Sequence, residues 1–329
     1  MRRLLPLVLA YAACVAAPSA LAYGWPLKPF HKAHPIRGNF GDPRTVFTEP
    51  FDPTGVLGGC ACSFHNGLDI SGVPGQAVYP VVSGTAHVTE LSAVTVRASN
   101  GRAFMYVHIT PVVYDGQPVR AYKTVLGHID AVASHVHFAE IDNTIVINPL
   151  GTHHLQPYSD RTKPKVATLL LLAPDGQELK SRGIAGMVDL VAQAYDTPAL
   201  PVPGTWYGYP VAPAVVRWAL LSGSHYVIPA ATAVDFRYTA PLPRYFWQVY
   251  ARGTYQNKPR FGNHQYREWP GRFEFRLTQK PLNTRKLADG NYTLRVTVED
   301  TAGNETTHSE VITVCNADPT SCTTPPPAP

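Results

Sequence analysis

Proline and glycine interrupt this chain at 32 and 25 of its 329 positions. Punctuation of that density leaves little room for long helices and favours short strands joined by turns. The runs between the breaks are β-type. Ala77 to Val82 and Thr85 to Leu91 read as strands about a turn at Ser83-Gly84. Val94 to Ala98 and Ala103 to Ile109 flank Ser99-Asn100-Gly101, and an Asn-Gly pair between apolar runs is a strong hairpin signal. Val119 to Leu126 and Val136 to Ile147 supply more strand material. No stretch carries the period of a long amphipathic helix. Residues 23–156 are therefore expected to form a compact antiparallel β-domain.

Residues 157–164 (PYSDRTKP) are polar and bounded by proline, as a linker would be. The chain is β-rich again beyond them, in KVATLLLLAPDG, GMVDLVAQAYD, AVVRWALL, RYFWQVYARG, RFEFRLT, NYTLRVTVED and SEVITV. Strands at this spacing predict a β-sandwich over 165–315, with a long loop near 195–213. LADGNYTLRVTVEDTAGN resembles the last hairpin of bacterial immunoglobulin-like or fibronectin-like modules. Residues 316–329 end in TTPPPAP and read as a disordered tail. The expected fold class is all-β, an antiparallel domain followed by a sandwich.

The first 22 residues have the layout of a secretory signal: Arg2 and Arg3, an apolar run from Leu4 to Ala17, and Ala20-Leu21-Ala22 as a small-x-small cleavage site. The run is too short to span a bilayer comfortably, and no other stretch suffices. Export is expected, to a secreted, periplasmic or cell-envelope location, with no stable membrane span after cleavage. Loss of Arg2 and Arg3 lowers the formal net charge from +5 to +3. That mild charge, without a basic stripe interleaved with aromatics, gives no sign of a nucleic-acid partner. Oligomeric state is not encoded in any pattern found. Four cysteines remain after Cys14 leaves, and an even number in an exported chain favours disulfides. Of the three connectivities, a local clasp Cys315–Cys322 with a bridge Cys60–Cys62 is favoured.

Three patterns carry chemistry. His65-Asn66-Gly67-Leu68-Asp69 is an H-x-x-x-D in a stretch too rich in glycine for a helix, so a strand end or loop must bring its two side chains together. Tyr106-Val107-His108 closes the hairpin. In His135-Val136-His137-Phe138, a strand would project both imidazoles from one face and turn Val136 and Phe138 to the core. Paired imidazoles make sense if one binds metal and the other works beside it. A catalytic zinc takes three protein ligands, and two neutral histidines with one carboxylate leave it a good Lewis acid. There is no H-E-x-x-H, so no glutamate base is offered at a known spacing.

In order, PIRGNFGDPR, HNGLDI, PGQAVYPVVSGTAHV, MYVHI, GQPVRAYKTVLGHI and HVHFAE resemble the landmarks of the lysostaphin/LytM-type zinc endopeptidases, which cut peptide bridges in bacterial peptidoglycan. The resemblance implies that His65, Asp69 and His137 bind Zn2+. It implies that His108 and His135 manage protons and steady the oxyanion. It also implies a peptidoglycan peptide as substrate, in cross-links or stems. Cys60 and Cys62, just before His65, are unusual there. Rival readings are a non-catalytic wall-binding or amidase-activator-like module, and an endopeptidase acting on non-wall proteins. His87 and His128 are expected to be structural or exposed, His153 and His154 to face solvent, and Glu140 to be a poor ligand because it lies on the other strand face from His137.

Overall fold

The computed structural model describes residues 22–45, 60–90, 92–179, 181–257 and 270–320. The signal segment up to Leu21, Cys322 and the end of the tail lie outside them. The fold is nearly all β, and its strand pairs are antiparallel apart from Gly183–Ile184 against Glu305–Val314.

The first half is built on an eight-stranded sheet. Its order is Ile36–Gly38, Leu68–Ser71, His135–Asp142, Arg102–Val107, Ala93–Arg97, Gly84–Glu90 and Pro118–Val119, with Ile145–Ile147 paired to the far end of His135–Asp142. The register sets His137 opposite Asp69 on one side and Val107 on the other. Val136, Phe138, Leu68, Phe104 and Tyr106 fill the core beneath. The Asn-Gly hairpin forms as expected: Gly101 takes φ +88°, and Arg102 N–H donates to Asn100 Oδ1. Two expected strands shrink. Only Ala77–Val78 and Pro118–Val119 pair, and the chain after Val119 turns at Tyr122, at φ +58°. The run Val136 to Ile147 is a hairpin rather than one strand, because Asn143 sits at φ +55°.

The second half stacks two sheets. One holds Lys165–Leu172, Met187–Tyr195 and Glu274–Arg276; the other holds Glu305–Val314, Gly290–Glu299, Val215–Ser222 and His225–Asp235. Leu169, Leu171, Leu190, Ala192, Leu220, Leu294 and Val296 meet between them. RYFWQVYARG, expected as a strand, instead forms a 3₁₀ turn Pro243–Tyr245 and a one-turn helix Phe246–Val249. Pro243 sits at the turn's first position, and the i, i+3 pair Phe246 and Val249 buries one face.

The two halves share one continuous apolar core. Phe64 packs on Phe236, Phe246 and Tyr250. Residues 157–164 are anchored at points: Trp25 Nε1 donates to the Pro157 carbonyl at 2.9 Å, and Asp160 and Pro164 are buried while Ser159, Arg161 and Lys163 are exposed. At the far end Asn316 and Ala317, which composition assigns to the tail, are pinned to Thr284 and Asp289. Cys60 and Cys62 form a disulfide, and Cys315 is also disulfide-bonded.

Candidate metal centre

Leu68–Ser71 and His135–Asp142 are neighbours in the sheet, so His137 meets Asp69 from 68 positions away. His65 Nε2 lies 2.9 Å from His137 Nδ1 and 3.1 Å from Asp69 Oδ1, and His137 Nδ1 lies 3.2 Å from that same oxygen. A tetrahedral zinc with ligands at about 2.0–2.1 Å would separate them by about 3.3 Å, so the donor triangle is close to the size required. The donor set, two nitrogens and one carboxylate oxygen, also suits zinc.

The surroundings orient His65 and Asp69. His65 donates Nδ1–H to the Asn39 carbonyl at 2.8 Å, which leaves the Nε2 lone pair facing the cluster. The loop that presents Asn39 is tied to His65 twice more, through Gly41 N–H to the His65 carbonyl and His65 N–H to the Asp42 carbonyl, each at 2.8 Å. Gly67 is needed here: a Cβ on it would stand 2.8 Å from His137 Nε2 and 2.6 Å from the Phe138 carbonyl oxygen. Arg44 Nη2 holds Asp69 Oδ2 at 2.7 Å, turning Oδ1 to the imidazoles. Gly38 makes room for that pair, since its Cβ would lie 2.9 Å from both partners.

Electrostatics follow from this packing. Burial, then the nearby Arg44, pushes His65 down to about 3, so it is neutral at pH 7. Burial opposes ionisation of Asp69, but the surrounding imidazoles and the Arg44 guanidinium outweigh it and hold the carboxyl well below its usual range.

A second imidazole pair stands beside the first. His108 and His135 have ring centroids 4.5 Å apart. His135 donates Nδ1–H to the Ala133 carbonyl at 2.8 Å, which fixes its tautomer and leaves Nε2 as acceptor, 3.3 Å from Arg37 Nη2 and 3.5 Å from Asp69 Oδ1. His108 is exposed and adopts φ +63°, a left-handed conformation costly for a residue with a Cβ; it breaks the strand and swings the ring to the cleft mouth. Desolvation in the cleft and the neighbouring His135 push it down to about 4.

All five residues singled out in the sequence thus meet in one place. Arg37, Arg44 and Trp206 were missed. Arg37 is buried, and its guanidinium stacks 4.1 Å from the centroid of Trp206, which comes from the second half. The two arginines stand seven apart in a glycine-rich segment of a chain with only 16% charged residues, a signal that could have drawn notice. Trp206 has no local signal. His34 contacts Trp25 and the Pro29 carbonyl, away from the cluster. His154 does not face solvent as expected; it is held at 2.8 Å by Glu140, which is fully buried and also bound by Tyr23 and Arg102.

No family model and no curated protein matches the chain. Among solved structures it is similar, over part of its length, to the SpoIIQ–SpoIIIAH pore-forming complex, at 17% identity over 40% of this chain and 90% of that one, with a TM-score of 0.31. It is similar to a zinc-containing peptidase from Vibrio cholerae at 20% identity, covering 39% of each chain with a TM-score of 0.30. A third similarity is to LytU, at 19% identity over 37% of this chain and 86% of that one, with a TM-score of 0.27.

Proposed function

We propose that the chain is an exported zinc metallo-endopeptidase that hydrolyses peptide bonds in peptidoglycan cross-links or stem peptides. The observation that carries this reading is the convergence of His65, Asp69 and His137 donor atoms within 4.8 Å of one another, with the His108–His135 pair alongside. His65 Nε2, Asp69 Oδ1 and His137 Nδ1 would hold the zinc, which supplies Lewis acidity at the scissile carbonyl.

The protein groups then divide the proton work. His135 is the base, because its Nδ1–H is committed to Ala133 and its Nε2 lone pair faces the cluster. His108, neutral above pH about 4, offers a ring N–H at the cleft mouth to steady negative charge on the carbonyl oxygen. Arg37 positions the Nε2 side of His135, and Arg44 keeps Asp69 turned inward. Export is part of the proposal. Among the described residues no helix is long and apolar enough to cross a membrane, and the mature N-terminus is expected at Tyr23.

Metal analysis of the purified chain together with dye release from purified peptidoglycan tests the proposal. About one zinc per chain with release that a chelator stops is the expected result. A zinc-loaded chain that releases nothing would favour the non-catalytic wall-binding reading.

A further inference from the structure

The donor cluster stands at the junction of two cavities that differ in charge. One, of about 520 Å³, runs past His135 and adds the charged Arg37 and Asp42 to its lining, beside Trp206 and Phe273. The other, of about 690 Å³, runs past His65 and His137; beyond the shared Arg44 and Asp69 it adds, among the described residues, no carboxylate, lysine or arginine, and Ile145, Val146, Pro241 and Leu242 give it an apolar edge. Arg44, Asp69 and His108 border both, so the two are halves of one cleft that meet at the site.

The apolar half has two lips. Ile145 and Val146 come from the hairpin that extends the strand bearing His137, and Pro241 and Leu242 come from the second half of the chain. Ile145 is 50% exposed and Leu242 is 52% exposed. A single exposed aliphatic residue needs no explanation. Here two, on neighbouring segments, line one cavity beside the donor cluster. The two segments are paired edge to edge: Ile147 bridges Thr239, Thr239 Oγ1 donates to the Val146 carbonyl at 3.1 Å, and Asn148 N–H donates to the Tyr238 carbonyl at 2.8 Å. Their separation is therefore set before any substrate arrives, and the cost of ordering the lips is already met by folding. The volume lies within the ordinary range for a ligand pocket and exceeds what a glycine or alanine residue can fill.

We propose that the apolar half is a side-chain subsite that selects a bulky aliphatic or aromatic residue next to the scissile bond, with Leu242 of the second half and Ile145 of the first as its lips. This rests on the peptidase reading and widens its substrate class from glycine- and alanine-rich wall peptides to protein segments that carry a large apolar residue. It also gives the second half a part in selecting the substrate.

The test is a library of blocked peptides varied at each position around the cleaved bond, with fragments read by mass spectrometry. At one position next to the bond, Leu, Met or Phe is expected to be cut on the order of 10- to 200-fold better than Gly. Leu242→Asp should erase that preference and raise cutting of peptides with Lys there, a gain that misfolding cannot produce. Ile145→Asp should act alike, and both should keep wild-type zinc content. Cutting with a flat profile, or with Gly favoured, would overturn the subsite and leave the peptidase reading intact. Binding of the Leu and Gly peptides to zinc-loaded His135→Ala, followed by calorimetry, separates the two ideas from the other side. Tighter binding of the Leu peptide by His135→Ala, with a wild-type chain that cuts nothing, would keep the subsite and remove the peptidase. Equal binding would remove the subsite.

Discussion

Among the described residues three ligand-capable side chains gather in two places, and the pair is instructive. His65, Asp69 and His137 meet in the first half; Asp160, Asp196 and Asp300 meet where the halves join, all three buried. In the first cluster one carboxylate is surrounded by imidazoles and Arg44, and its acidity is strengthened. In the second, burial and mutual repulsion among carboxylates push Asp196 up to about 8 and raise Asp300 as well. Proximity alone does not distinguish a metal centre. The first cluster combines two imidazole nitrogens, one compensated charge and partners that orient His65 and Asp69.

The strongest way to break that contrast is to remove a donor. His65→Ala or Asp69→Ala should reduce zinc content to background and abolish peptidoglycan release together. Retention of stoichiometric zinc by either variant would show that the metal is held elsewhere. His135→Ala should separate the two properties, keeping most of the zinc while release falls by about 10²- to 10⁴-fold, the usual worth of general acid–base catalysis. Full activity in His135→Ala would sink the assigned mechanism.

A smaller effect tests compensation itself. Arg44 touches Asp69 Oδ2 and leaves Oδ1 free, so it acts on the metal through the ligand. Arg44→Gln should weaken zinc affinity by about 10- to 100-fold, as loss of an orienting partner usually does. Arg44→Lys should recover part of it. Competition against a chelator of known affinity measures both, and an unchanged affinity in Arg44→Gln would mean that the imidazoles alone orient Asp69.

How much of this was legible from the chain depends on how local each feature is. His65 with Asp69, and His135 with His137, lie within a few residues of each other, so period-two alternation and the glycine between them were enough to pair them. Their meeting needed only that two strands be sheet neighbours. The cleft walls are different. Arg37 stacks on Trp206, and Thr239 is bonded to Val146, across 169 and 93 positions of chain. Nothing in either segment alone marks the contact. RYFWQVYARG shows the limit for secondary structure as well: its aromatic residues fit a strand or a helical turn equally, and packing of Phe246 against Phe64 and Tyr250 decides. The disulfide Cys60–Cys62 was readable because the four cysteines beyond Cys14 allow only three pairings.

The smallest prediction concerns the second cluster, through pH. Burial first, then the charges of Asp160 and Asp300, raise Asp196 from its ordinary value near 4 to about 8, against the pull of the Thr197 N–H bond at 2.8 Å. The folded chain therefore binds more protons than the unfolded chain between those values. The stability associated with this group is fully present below pH about 4 and is lost as pH rises through about 8. Asp196→Asn keeps the side chain's shape and an acceptor oxygen for Thr197 but cannot ionise. The wild type should lose a few kcal/mol more than Asp196→Asn between pH 5 and pH 9, because a tenfold change in proton affinity is worth about 1.4 kcal/mol and relaxation absorbs part of the total. Urea midpoints at the two pH values give the comparison. Equal losses in the two proteins would mean that the second cluster is relieved of its charge by other means, and the contrast with the first would no longer rest on compensation.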